Sequence, residues 1–215
     1  EKIDKDACLS LFRQGWDSRD LNIFLGGNAE ITGGAEQVLA VYAESRKLAV
    51  TAPEEKEREE FAYTEFGEPG TIASRDVEKD LGITQVVLSN GVRVNLKPTG
   101  FEENTIHVTA RFGAGQLVEP EAKPGLATFA SATFTEGGLG RHSADELVRI
   151  LAAHSVGRSF SVEEDAFVLS GSTTPEDLQL QLQLLAASLV DPGYRDEGAR
   201  QFQKSIGPMY KQLAH

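Results

Sequence analysis

Val86-Val87-Leu88-Ser89-Asn90-Gly91-Val92-Arg93-Val94-Asn95-Leu96 reads as a β-hairpin. Two apolar-rich runs flank Asn90-Gly91, and Asn-Gly supplies the two positive φ angles that a type I′ turn demands. Further on, Ile106, Val108, Ala110 and Phe112 alternate with Thr105, His107, Thr109 and Arg111, so this strand buries one face only. One-sided strands belong to antiparallel sheets with a single covered face. A helix follows, with Leu126, Phe129, Thr133 and Phe134 on one side and Gly137 past its end. Ser143-Ala144-Asp145-Glu146 has the form of a capping box and opens a helix that turns Leu147, Ile150 and Leu151 inward. Val156 to Val162 and Ala166 to Ser172 flank the acidic turn Glu163-Glu164-Asp165, a second hairpin.

The stretch Leu178-Gln179-Leu180-Gln181-Leu182-Gln183-Leu184 alternates like a strand. Thr174-Pro175-Glu176-Asp177 ahead of it is a helix start, with Thr as N-cap and Pro in the first turn. Leu178, Leu182, Leu185 and Leu189 also fit one helical stripe, so the segment reads as helix. Phe202, Ile206, Met209 and Tyr210 mark a last helix, strained or broken at Gly207-Pro208. Strands and helices mix without strict βαβ alternation, which gives an α+β class: an antiparallel sheet with helices packed on one face.

Upstream, Cys8, Leu9, Phe12 and Trp16 recur at helical spacing, Leu21 to Leu25 reads as a short strand closed by Gly26-Gly27-Asn28, and Ala35, Val38, Leu39 and Tyr42 return to helical spacing. Seven consecutive charged residues, Glu54 to Glu60, then read as a solvated linker. Phe61 to Asp80, punctuated by Gly67, Pro69 and Gly70, reads as its extended continuation. The organisation expected is residues 1–52, a charged connector over 53–80, and a domain over 81–215.

The chain has 215 residues, with 21 Lys+Arg against 33 Asp+Glu and a formal charge of −12. That balance argues against nucleic acid, whose affinity rests on phosphate neutralisation, and against an anionic membrane surface. No apolar run reaches the ~20 residues of a membrane span. The single cysteine, Cys8, excludes an internal disulfide and a cysteine-ligated metal cluster. It falls on an apolar helix face and reads as core rather than nucleophile. The chain starts at Glu1 with no apolar leader and ends inside a helix-like pattern, as a piece of a longer polypeptide does.

Local chemistry is sparse. His107, His142, His154 and His215 are too far apart in sequence for an HExxH or HxxEH pair, and each reads as a surface or capping residue. Gly26-Gly27 and Gly113-Ala114-Gly115 match neither a Walker A loop nor a dinucleotide fingerprint. No GxSxG elbow and no SxxK setting appears. On residues alone no catalytic constellation stands out, and composition offers a binding or scaffold module as the alternative class.

The order of elements nevertheless carries a resemblance. The Asn90-Gly91 hairpin, the strand Ile106 to Phe112, Gly113-Ala114-Gly115-Gln116-Leu117-Val118-Glu119-Pro120 and the helix opening Pro124-Gly125-Leu126-Ala127-Thr128-Phe129 together resemble a repeat of the insulinase/pitrilysin-like zinc metallopeptidases, the family that includes the mitochondrial processing peptidase. In that family the helix reads roughly G-L-A-H-F-x-E-H, the two His and a downstream Glu bind zinc, and the motif Glu activates water. Here Thr128, Ser131 and Ala132 stand at the His, Glu and His positions, and no acid lies between Gln203 and Gly207, where the third ligand is expected.

The resemblance therefore implies an inactive, truncated C-terminal repeat over 81–215, preceded over 1–52 by the closing helix–strand–helix of another repeat. It implies no catalytic residue and no metal in this chain, with zinc in the catalytic N-terminal half of the parent. That half and a peptide substrate are the implied partners, and Gly113, Ala114 and Gly115 are the implied peptide-lining residues. Such a repeat closes a chamber around substrate in a bacterial zinc metalloendopeptidase; the alternative is an assembly scaffold derived from the same fold. A periplasmic or secreted parent is favoured, with a cytoplasmic one left open.

Overall fold

A computed structural model describes residues 3–16, 22–28, 30–49 and 59–213. The chain divides into two compact units, Glu1–Glu55 and Lys56–His215. In the first, helix α1 (Lys5–Trp16) and helix α2 (Gly34–Ser45) form as their spacing predicts. The strand expected over Leu21 to Leu25 does not: residues 22–28 carry no strand, and Leu21 lies outside the described residues. A strand needs a ladder partner, and among the described residues this segment has none. Cys8 is exposed rather than core, and no described residue of this unit is buried.

The second unit carries two three-stranded antiparallel sheets. The first joins β1 (Ile72–Glu78), β2 (Ile83–Leu88) and β3 (Arg93–Leu96) in that order. The second places β4 (Ile106–Phe112) and β5 (Ser159–Val162) on either side of β6 (Phe167–Thr173). Both sequence-predicted hairpins form, with Val86 opposite Val94 and Phe160 opposite Leu169. The first turn is not type I′. Gly91 has φ 88, but the only described non-glycine residues at positive φ are Asn104 and Tyr194. The Gly91 N–H donates to Leu88 O at 2.9 Å and the Leu88 N–H to Val92 O at 2.8 Å. This is a three-residue loop in which only its last residue is left-handed, the turn-plus-bulge form of hairpin.

Much of the segment expected as connector is built into this unit. Residues 53–58, with most of the charge run, lie outside the described residues. Residues 72–78 form β1, paired along β2 with a bulge between Ile72 and Ser74. Every β1 residue is exposed, so its strand state rests on the ladder and not on an apolar face. Phe61 and Ala62 pack against a core cluster of Tyr63, Leu139, Leu147, Leu184 and Ala187.

Four helices accompany the second sheet among the described residues. They are α3 (Leu126–Thr133), α4 (Ala144–Leu151), α5 (Leu178–Val190) and α6 (Asp196–Leu213). α3 packs on β5, α5 on β6 and α6 on α3. The α4 capping box is complete: Glu146 N–H donates to Ser143 Oγ at 3.2 Å and Ser143 N–H to Glu146 Oε2 at 2.7 Å. α5 is a helix, but its inward face is not the leucine stripe. Leu182 and Leu189 are exposed, while Gln181, Leu184, Leu185, Ala187 and Ser188 are buried. Thr174 keeps a capping role, its Oγ1 accepting from the Asp177 N–H at 3.4 Å, yet Pro175 to Asp177 form a turn ahead of the helix. α6 runs unbroken through Pro208. Lys204, whose carbonyl loses its donor there, is exposed, so water can take the orphaned acceptor.

Candidate functional site

Helix α3 carries Thr128, Ser131 and Ala132, the residues that the sequence resemblance sets against a metal-binding motif. Its N-cap Gly125 sits at φ 88, a left-handed position open to glycine. Its first turn is completed from elsewhere: the Ala127 N–H donates to Glu119 Oε1 at 3.0 Å, a negative charge at a helix N-terminus. Along the helix, Thr128 and Ala132 are exposed and Ser131 is half-buried. The Ser131 Oγ accepts from the Val162 N–H at 3.0 Å, which ties α3 to the end of β5. α6 does lie beside α3, with Phe129 and Phe202 edge to face at 5.2 Å. The acids of α6 stand in its first turn, at Asp196 and Glu197. Zinc does not fit these residues. Ala132 has no donor atom, Ser131 is committed to a backbone amide, and three protein ligands are the usual minimum.

Gly113, Ala114 and Gly115 end β4 and lead into a 3-10 turn over Gly115–Val118. They lie against the β5–β6 turn. The Gln116 N–H donates to Glu163 O at 2.9 Å and the Leu117 N–H to Glu164 O at 3.2 Å. Gly115 is buried at φ 55, and a Cβ there would meet the Glu163 carbonyl and Ala166 N. Gly113 is exposed, and a Cβ on it would meet the Phe167 ring at 2.6 Å. Arg111 on β4 closes over the same turn, 2.6 Å from Glu163 and 2.8 Å from Asp165, and its guanidinium is raised by the Glu163 carboxylate first. The three glycine-rich residues thus have a packing role in joining β4 to the hairpin.

The histidines differ from one another. His107 Nδ1 lies 3.0 Å from Ser172 Oγ and its Nε2 3.0 Å from Glu102 Oε2. The order hydroxyl–imidazole–carboxylate has the connectivity of a nucleophile, base and orienting acid, but all three groups are exposed, His107 and Ser172 on paired strands and Glu102 in the loop before β4. None of the three lines the cleft beside α4, and catalytic use of such a chain needs an enclosed site. His154 Nδ1 meets Asp177 Oδ1 at 2.8 Å, and the Ser155 N–H donates to Asp177 Oδ2 at 2.7 Å. The Ser155 amide, then His154, holds the Asp177 carboxyl below the usual range. That pair ties the end of α4 to the start of α5.

His142 is not a surface residue. It is 6% exposed, and its Nε2 accepts the Ala62 N–H at 3.0 Å. Ligand atoms of Glu59, His142 and Glu146 lie within 4.8 Å of one another, a grouping that sequence spacing could not reveal. With Nε2 accepting a backbone N–H, the neutral ring carries its proton on Nδ1, so neither nitrogen has a lone pair for a cation. Glu59 and Phe61 face Glu146, Ile150 and His154 across a cleft of about 550 Å3.

The loop before His142 is fixed by two arginines. Arg158 donates to Thr135 O at 2.7 Å, Gly138 O at 3.4 Å and Ser188 Oγ at 3.2 Å. Burial pulls its guanidinium down, while the charge of Glu136 acts the other way. Arg195 donates to the carbonyls of Gly137, Leu139, Gly140 and His142. Carbonyls that would otherwise be orphaned are thereby satisfied.

No family model matches the chain. Among curated proteins it is similar to the chloroplast stromal processing peptidase of Arabidopsis thaliana, 28% identical over 120 residues, which are 54% of this chain and 10% of that protein. Among solved structures it is similar to the ferredoxin protease FusC in complex with Arabidopsis ferredoxin, at 22% identity and a TM-score of 0.58, over 88% of this chain and 21% of that one. It is also similar to the periplasmic protease PqqL from Escherichia coli, at 22% identity and a TM-score of 0.59, over 98% of this chain and 20% of that one. The chain thus spans a tenth of the curated relative and about a fifth of each structural one.

Proposed function

Because the chain has the fold of the insulinase/pitrilysin-like zinc peptidases and a curated relative among them, we propose that it is a non-catalytic repeat of a larger zinc metalloendopeptidase. On this reading the repeat closes a substrate chamber and helps to hold the peptide, while a catalytic half elsewhere in the parent supplies the zinc and the activated water. The single observation that carries the proposal is the state of α3. Thr128 is exposed, Ser131 is bonded to Val162 N and Ala132 lacks a donor, so a metal-bound water, the nucleophile of such enzymes, has no place to form. The division into residues 1–52, a connector and a repeat is part of the same proposal, with the expected boundary at residue 81 moved forward so that β1 (Ile72–Glu78) belongs to the repeat. A periplasmic bacterial parent is proposed by analogy with PqqL.

In this role Gly113 is the one glycine-rich residue left open to a peptide, with the free edge of β4 beside it; strand addition at a sheet edge is a common way to hold an extended chain. The test is reconstitution. Hydrolysis of a fluorogenic peptide library is measured for this chain, for the rest of the parent, and for the two mixed. Activity that appears only in the mixture supports the chamber role. Full activity of the rest of the parent alone overturns it and leaves the scaffold alternative.

A further inference from the structure

We propose that His142 is a proton-operated latch on the segment 59–62: its neutral ring holds that segment by accepting the Ala62 N–H, and protonation of the ring ejects the amide and unfastens the segment. The inference stands on the geometry of the second unit and does not depend on the peptidase reading.

The hydrogen bond is conditional on charge. Nε2 can accept the Ala62 N–H at 3.0 Å only while its lone pair is free. A second proton on the ring sits on that atom, and two N–H groups then face each other. The imidazole is 6% exposed and Ala62 is half-buried, so solvent does not readily replace the lost acceptor, and an unpaired buried amide is costly.

The charged ring has an alternative that the neutral ring does not need. Two carboxylates face it: Glu146 from the first turn of α4 and Glu59 from the segment itself, each with an oxygen in the 4.8 Å grouping. Glu146 sits on the same rigid loop-and-helix element as His142, tied through its capping box to Ser143. An imidazolium therefore exchanges the Ala62 amide for a carboxylate on its own element. The remaining neighbours do not compete for the ring. Arg195 is engaged with backbone carbonyls, including that of His142 at 3.1 Å. Arg141 donates to Ala62 O at 3.2 Å and lies over the Tyr63 ring. The Tyr63 hydroxyl donates to Asp191 Oδ2 at 2.7 Å and accepts from the Arg141 N–H at 2.8 Å.

Those last bonds set the hinge. Tyr63 is buried and doubly bonded through its hydroxyl, so it stays anchored while residues 59–62 move. Phe61, stacked on the ring at 5.8 Å, moves with them. Glu59 and Phe61 form one wall of the 550 Å3 cleft against α4. Acidification thus widens this cleft and frees residues 59–62.

The test is amide hydrogen exchange read by NMR on the 215-residue chain, from mildly alkaline to mildly acidic pH, with intrinsic exchange rates divided out. Ala62 protection should fall about tenfold as the His142 ring protonates, the scale set by losing one hydrogen bond to a buried group, while the Leu184 amide keeps its protection. In His142→Gln, whose side-chain carbonyl accepts at every pH, Ala62 protection should be flat. Should that variant not fold, the wild-type chain still decides, because the Ala62 amide and the His142 Cε1 resonance must share one titration midpoint. Ala62 protection that is unchanged while the ring titrates, or a pH dependence that persists in His142→Gln, overturns the latch.

Discussion

Replacing Gln181 with Met should destabilise the chain by about 2–3 kcal/mol, because it orphans both polar groups of the half-buried Gly157. Gln181 lies on the inner face of α5 at 0% exposure. Its Oε1 accepts the Gly157 N–H at 2.9 Å and its Nε2 donates to Gly157 O at 2.8 Å. The clamp fits only because residue 171 on β6 is glycine: a Cβ there would stand 2.5 Å from Gln181 Nε2. Met has nearly the volume of Gln, so little cavity forms. Two fully buried orphaned groups would cost about 2–6 kcal/mol; Gly157 is half-buried, which puts the loss at the low end of that range, about 2–3 kcal/mol. Gln181→Ala adds a cavity of several atoms and about 1–2 kcal/mol more. Against a total stability of ~5–15 kcal/mol for a domain, either loss is measurable by urea unfolding as a lowered midpoint at constant slope. A change below about 0.5 kcal/mol for Gln181→Met would refute the reasoning, since it would mean that the Gly157 groups find other partners without cost.

Three further outcomes follow from the same geometry. Gly115→Ala should cost about 2–3 kcal/mol, because a Cβ at φ 55 meets backbone of Glu163 and Ala166; urea unfolding reads it, and Gly91→Ala, at φ 88 with nothing near the new Cβ, gives the cost of the backbone conformation alone. Acid stability should depend on Glu146 and Asp177, whose carboxyls are lowered by hydrogen bonds from Ser143 and Ser155. A carboxyl with a lowered folded value contributes stability above its unfolded value and loses it as pH falls through the folded one. Asp177→Asn should therefore lower the urea midpoint at neutral pH and flatten its fall on the acid side. Elemental analysis after dialysis against zinc should find no stoichiometric metal, and Thr128→Ala should leave that result unchanged.

Where local chemistry decides structure, the sequence was readable. Ser143 and Glu146 announce a capping box, and the alternation of Ile106 to Phe112 announces a one-sided strand; both need only neighbours a few residues away. The Asn90-Gly91 turn was placed but mistyped, because both turn forms accept Gly at the left-handed position. β1 escaped notice because Ile72-Ala73-Ser74-Arg75-Asp76-Val77-Glu78 has no apolar face to read, being held by ladder bonds to β2. The docking of Phe61 to Tyr63 was hidden behind the adjacent charge run. It depends on Asp191 and His142, far along the chain. On α5 the leucines are the legible feature and the wrong guide. Gln181 is buried because a glycine peptide on a neighbouring segment needs its amide, a requirement that periodicity does not contain. The residue types of α3 could be read directly from the sequence. That Ser131 is bonded to Val162 could not, because the pairing is tertiary.

The most direct test of the central claim is chelator-sensitive hydrolysis by the purified 215-residue chain, supplied with zinc and a fluorogenic peptide library, with Thr128→Ala run in parallel. The account predicts no cleavage above the rate without protein, in either sample and with or without chelator. Cleavage that chelator abolishes, and that falls in Thr128→Ala, would contradict it and place a working metal centre on α3.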